Sequence, residues 1–188
     1  ACLFEVKNRV LKKVWERHEL YNKEFKKFCK DNAGWLDGYA LYEAIKESFG
    51  FTAWNTWPDE YRLRDEKTIN KFVKEHKDEI ECKKFIQWLF YYQWMNLKEY
   101  ASKKGIEIIG DIPIYVSLDS ADAWANPELF QLDEFCNPKA VAGCPPDAFS
   151  EDGQLWGNPL YKWDYHKKTG YKWWKDRMAA CNKLYDMV

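Results

Sequence analysis

From about residue 4 to residue 30, Leu11, Val14, Trp15, His18, Phe25 and Phe28 recur at helical spacing with lysines between them, which predicts one amphipathic helix. The run "DNAG" (31–34) reads as its stop, and a second helix is expected over 36–48 with Leu41, Ala44, Ile45 and Phe49 available for packing. "WNTWPDEYRLRD" (54–65) is a turn-rich connection, followed by a charged helix at 66–77 and a longer one at 79–103. On that last helix Phe85, Trp88, Leu89, Tyr92 and Met95 form one face. Ile86, Phe90, Tyr91, Trp94 and Leu97 cover much of the rest, so cover is needed on nearly all sides. Such a helix either points to a larger body than 188 residues supply or leaves tyrosines and tryptophans partly exposed, which their polar atoms tolerate; the first reading is expected.

Lys103, Lys104 and Gly105 end the helix with cations and a glycine. "IEIIGDIPIYV" (106–116) then reads as a short buried strand, the way an α/β unit feeds its chain into a parallel sheet. About fifty residues follow with only short helical hints such as "SADAW" (120–124). Within them "AGCPPDAFSEDGQLWGNPLY" (142–161) has too much proline and glycine for a helix or a central strand. It also carries Phe149, Leu155, Trp156 and Tyr161, which a solvated linker does not need, so an ordered lid is expected. A final helix, 170–184, places Tyr171, Trp174, Met178 and Cys181 on one side, and "LYDMV" (184–188) looks like the opening of another strand.

Composition narrows the chemistry. The net charge is −1, which gives no footprint for nucleic acid or an anionic membrane, and no apolar run approaches a membrane span. Aromatic residues make up 18% of the chain, with eleven tryptophans; they suit either a heavy core or platforms for flat, amphipathic ligands such as sugars. The six cysteines are scattered without a C-x-x-C pair and read as free thiols in a reducing cytoplasm. No metal site is expected, because the three histidines lie far apart. His18 falls on an apolar stripe, whereas His76 and His166 sit among charged neighbours and are expected in solvent. No phosphate-cradling glycine motif or nucleophile triad is present, and no cofactor is called for.

Two carboxylates are candidates for site chemistry. Asp111 follows a strand and either points into a binding mouth or caps the next turn. Asp147, behind Pro145 and Pro146, is either aimed at a ligand or spent on its own turn; Asp119, Asp122 and Asp133 read as turn or helix-start residues.

"GIEIIGDIPIYVSLDSADAWANPELFQLDE" (105–134) and "VAGCPPDAFSEDGQLWGNPLYKWD" (141–164) resemble the 4-alpha-glucanotransferase family, the amylomaltases or disproportionating enzymes. "DNAGWLDGYALYEAIKE", "FIQWLFYYQWMNLKEYASKKG" and "GYKWW" extend the resemblance over almost the whole chain. It implies an α/β fold: a segment of a (β/α)8 TIM barrel, mostly helical, with one or two parallel strands and a long ordered lid loop. The implied division is a helical subdomain (1–104) and a barrel segment (105–188), with strand 106–112, lid 113–168, helix 170–184 and the start of a strand at 185–188.

The implied reaction moves α-1,4-glucan segments between maltooligosaccharides by a retaining double displacement, the glycosyl-enzyme ester being opened by a sugar hydroxyl. Asp111 would line the cleavage subsite and help hold an arginine. Asp147, Phe149, Gln154, Trp156 and Asn158 would belong to the lid beside the glucan channel. The nucleophile and acid/base are expected beyond "LYDMV", in the rest of the parent polypeptide, so this chain alone is expected to be inactive. Ala148 stands where tyrosine is common in the family and Cys144 where valine is usual. A non-catalytic glucan-binding module, a related hydrolase and a helical interaction domain are the competing readings.

Overall fold

The computed structural model describes residues 2–17 and 23–188; the His18 expectation lies outside them. The chain divides into two compact units, 1–51 with 59–96, and 52–58 with 97–188.

The first unit is helical: α1 (Cys2–Glu16), α2 (Lys23–Ser48), the short α3 (Asp59–Arg62), α4 (Glu66–Glu75) and most of α5 (Lys77–Lys103). Its core is aromatic. Trp15, Phe25 and Phe85 are buried with ring centres 5.5 to 6.2 Å apart, and the Trp15 indole N–H donates to Asp78 at 3.2 Å. Cys29 and Cys82 pack into the same cluster, and burial pushes each thiol up to about 11.

The expected stop at "DNAG" does not occur: α2 runs through it for 26 residues. Local bonds replace the cap that would have ended the helix. The Asn32 amide donates to the Phe28 carbonyl at 2.9 Å and accepts from the Trp35 indole at 3.1 Å, while Lys27 pairs with Asp31 one turn on. A helical glycine costs about 1 kcal/mol relative to alanine. Full burial of Leu36, Ala40 and Ile45 immediately beyond outweighs it. The helix expected over 4–30 is therefore α1 and the first turns of α2.

The far part of α5 keeps Phe90, Tyr92, Met95, Leu97 and Tyr100 exposed. Among the described residues no helix is long and apolar enough to cross a membrane.

The second unit holds the end of α5, then α6 (Ala121–Ala125), β1 (Val141–Cys144), β2 (Gln154–Pro159), α7 (Trp163–Lys168) and α8 (Lys172–Leu184). Single 3-10 turns occupy Trp54–Thr56 and Pro127–Leu129. Trp54 is fully buried and its indole donates to the Leu118 carbonyl at 2.6 Å; Trp57 packs edge-on against Trp124.

Two strand expectations change. The run 106–112 is not a strand but a single parallel bridge, Ile109 to Met187. The Gly110 amide donates to Met187 at 2.8 Å and the Asp186 amide to Ile108 at 2.9 Å. The direction of this bridge is parallel. The ladder stays short because Pro113, which has no N–H to donate, follows closely. At Gly110 a side chain is excluded, since a Cβ would fall 2.1 Å from the Tyr185 ring.

The run 113–168 is likewise not one loop. It contains α6, a 3-10 turn, α7 and an antiparallel hairpin, β1 with β2, so the sheet present is antiparallel. The prolines stand at the ends of the pairing: Pro145 and Pro146 follow β1, and Pro159, paired with Val141, ends β2. Glycines make the pairing possible. A Cβ at Gly143 would lie 2.4 Å from the Gln154 carbonyl oxygen, and one at Gly153 (φ +73°) 2.5 Å from that of Cys144. The register jumps from Val141–Pro159 to Gly143–Leu155, a bulge that carries Gly157 at φ +78°.

Candidate functional site in the hairpin unit

The hairpin is fastened to the segment that leaves the parallel bridge. The Asn158 amide donates to the Val116 carbonyl at 2.9 Å, and the buried Tyr161 hydroxyl donates to the Ile114 carbonyl at 2.8 Å. Tyr115 lies between them in sequence. Its ring stacks on Tyr161 (5.7 Å, 10° between planes) and meets Trp156 at 6.2 Å. Trp156 is half exposed, and its indole donates to the Gln154 side chain at 3.0 Å, which fixes the ring on the strand.

Beneath lies a ring cluster that periodicity did not reveal. Tyr161 is enclosed by Phe130, Trp173, Trp174 and His166, with ring centres 5.0 to 5.7 Å away. Burial raises the Tyr161 hydroxyl above its usual pKa. Arg177 lies over both Trp173 and Trp174, at 5.2 and 5.4 Å, and donates to the Pro113 carbonyl, two residues beyond Asp111. The inward side of α8 is therefore Trp173, Trp174 and Arg177; Tyr171 and Met178, expected there, are exposed. "GYKWW" and the tyrosine closing the proline-rich run were the available signals.

His166 was expected in solvent and is fully buried. Its charged neighbours in sequence, Lys167 and Lys168, are exposed on the same short helix while the imidazole turns inward. Nε2 lies 3.1 Å from the Leu129 carbonyl, which can only accept, so Nε2 carries the hydrogen. Nδ1 is enclosed with no hydrogen-bond partner among the described residues, as are Trp174 Nε1 and Arg177 Nη1. Burial lowers the His166 pKa, and the Leu129 bond opposes this in part. His76, also expected in solvent, is partly covered and stacks on Phe72 at 4.1 Å in the first unit.

The candidate carboxylates are both exposed and both engaged locally. Asp111 accepts from its neighbour, the Ile112 amide, at 2.7 Å. Asp147 accepts from the Phe149 and Ser150 amides at 2.8 and 2.9 Å, an Asx turn that shapes the hairpin tip. Asp133 makes a similar turn through the Phe135 and Asn137 amides. The tip presents Phe149 at 94% exposure and Leu155 at 81%. Thus Gln154, Trp156 and Asn158 come together with Tyr115. Among the described residues no hydrogen bond, ion pair or ring contact joins Asp111, Asp147 or Phe149 to them. Cys29, Cys82, Cys144 and Cys181 are free thiols, and no group of three potential metal ligands is gathered among the described residues.

The family profile described as 4-alpha-glucanotransferase matches residues 1–188, the full length of the chain. The chain belongs to the 4-alpha-glucanotransferase family. It is 48% identical to the 4-alpha-glucanotransferase of Clostridium butyricum over all of this chain and 39% of that protein. Against the Aquifex aeolicus 4-alpha-glucanotransferase the identity is 41%, over 99% of this chain and 38% of the relative. Among solved structures, the amylomaltase from Streptococcus agalactiae in complex with acarbose superposes with a TM-score of 0.91 at 42% identity. That match covers 98% of this chain and 38% of the amylomaltase. The chain thus spans about two-fifths of the length of these 4-alpha-glucanotransferases.

Proposed function

We propose that these residues form one wall of the glucan cleft of a 4-alpha-glucanotransferase built on a (β/α)8 barrel. In this reading the bridge at Ile109 and Met187 is the meeting of two neighbouring barrel strands, and Asp111 stands at the tip of the first. The observation that carries the reading is the fastening of Trp156 and Asn158 to residues 115–116, four and five positions beyond Asp111.

Glucose has apolar ring faces and a rim of hydroxyls. A half-exposed indole held by Gln154 offers the first surface, and the exposed carboxylates of Asp111 and Asp147 are suited to the second. The substrates are α-1,4-glucans and maltooligosaccharides. Asp111 and Asp147 orient sugar hydroxyls, and Phe149 and Trp156 cover the ring faces and exclude water from the acceptor side. The nucleophile and acid/base belong to the rest of the parent polypeptide, which makes the 188 residues inactive alone. The free thiols of Cys29, Cys82, Cys144 and Cys181 support a reducing, cytoplasmic setting.

Incubation of the parent protein with maltotriose tests the reading. Transfer releases glucose together with maltooligosaccharides longer than the substrate. Reducing sugar that accumulates with no longer product would replace transfer by hydrolysis, and binding without turnover would leave a glucan-binding module.

A further inference from the structure

On the second unit an open groove of about 420 Å³ uses none of the six residues assigned to the cleft. Its floor is the buried Phe130, and Trp163, Gln131, Lys139, Lys162 and Asp164 stand around it. The frame is rigid. Phe130 and Tyr161 form an antiparallel bridge, the Gln131 amide donates to Leu160 at 2.8 Å, and the Lys162 amide donates to Leu129 at 2.8 Å.

Trp163 is 55% exposed although its ring stacks on Trp174 at 5.9 Å and 14° between planes. A large ring held flat by a neighbour and still half open to solvent is a preformed platform. The ammonium groups of Lys139 and Lys162 and the Asp164 carboxylate are exposed and take no hydrogen-bond or ion-pair partner among the described residues. The groove therefore offers free donors and a free acceptor around one aromatic surface.

That set selects the ligand. A phosphate would use the lysines but would be repelled by Asp164 and gain nothing from the indole. A hydroxyl both accepts and donates, so a sugar ring can satisfy lysine and aspartate together while its apolar face lies on Trp163. We propose that this groove is a second binding site, for one glucosyl ring of a long α-1,4-glucan. Its function is to hold a polymeric donor while a different part of the same chain occupies the cleft. The sugar class rests on the transferase reading above; the groove and its donor–acceptor set do not.

The test is migration of the parent protein in native gels containing glycogen, which needs no turnover. Retardation of the wild type should fall about threefold or more in Trp163→Ala, from loss of the stacking surface. It should fall by about half in Lys139→Ala/Lys162→Ala, whose side chains are exposed and unpaired. The lysine variant decides the matter where Trp163→Ala fails to fold. An unretarded wild type, or variants retained as strongly as the wild type, overturns the proposal. Maltotriose turnover by the wild type is read separately: retardation that depends on these side chains without any turnover keeps the groove and sinks the transferase reading.

Discussion

The Asn158 side chain, on a strand that bulges at Gly157, reaches the backbone carbonyl of Val116 at 2.9 Å. This bond and that of Tyr161 to Ile114 fix where the hairpin sits relative to the chain that follows Asp111. Replacing Asn158 by alanine leaves the half-buried carbonyl unpaired and should cost about 1 kcal/mol, measured by chemical denaturation. In the parent protein it should also raise KM for maltooligosaccharides, because Trp156 shifts with the strand. A KM equal to the wild type's would mean that the bond serves stability alone.

Trp156 offers a more direct test. Trp156→Ala should raise KM for maltooligosaccharides by about threefold to tenfold, the size of one lost aromatic stacking surface. Trp156→Phe should recover part of the loss. The Gln154 bond to the indole predicts that Gln154→Ala gives a smaller change in the same direction.

Gly110 and Tyr185 form a steric pair. With a Cβ at Gly110 placed 2.1 Å from the Tyr185 ring, Gly110→Ala should destabilise the second unit by about 1–3 kcal/mol. Combining it with Tyr185→Ala should cost less than the sum of the single changes, since the obstacle is then gone. Additive losses in that double-mutant cycle would place the strain elsewhere.

His166 sets a pH dependence. Its folded-state pKa lies below the ordinary value of about 6.5 that it regains on unfolding. The unfolded chain therefore binds the extra proton more readily, and stability must fall as pH drops below about 6.5. The contribution is fully present above that value and lost as pH falls through the lower folded pKa. Melting temperatures recorded between about pH 5 and pH 8 should show the slope, and His166→Gln should flatten it.

Legibility differed between local and distant causes. The charged helix at α4 and the long α5 were readable because their apolar spacing is their cause of folding. The passage of α2 through "DNAG" was not, since Asn32 has two available roles and tertiary burial of Leu36 decides between them. The hairpin was missed for the same reason. Its glycines and prolines read as breakers, yet Gly143 and Gly153 are what let two backbones approach. His166 was misplaced because its sequence neighbours are charged and its spatial neighbours are rings. Of the site, the resemblance supplied the residue names. The role of Tyr115 as the link between Trp156 and Tyr161 appears only in three dimensions.

The bridge between Ile109 and Met187 also has a kinetic meaning. Everything from Asp111 to Asp186 leaves and returns through one narrow neck of backbone bonds, reinforced by the Lys98 pairing with Asp186 at 3.1 Å. Closing so long an excursion carries a large entropic toll before any contact at the neck repays it. The hairpin and α6–α8 should therefore assemble first and the neck knit last.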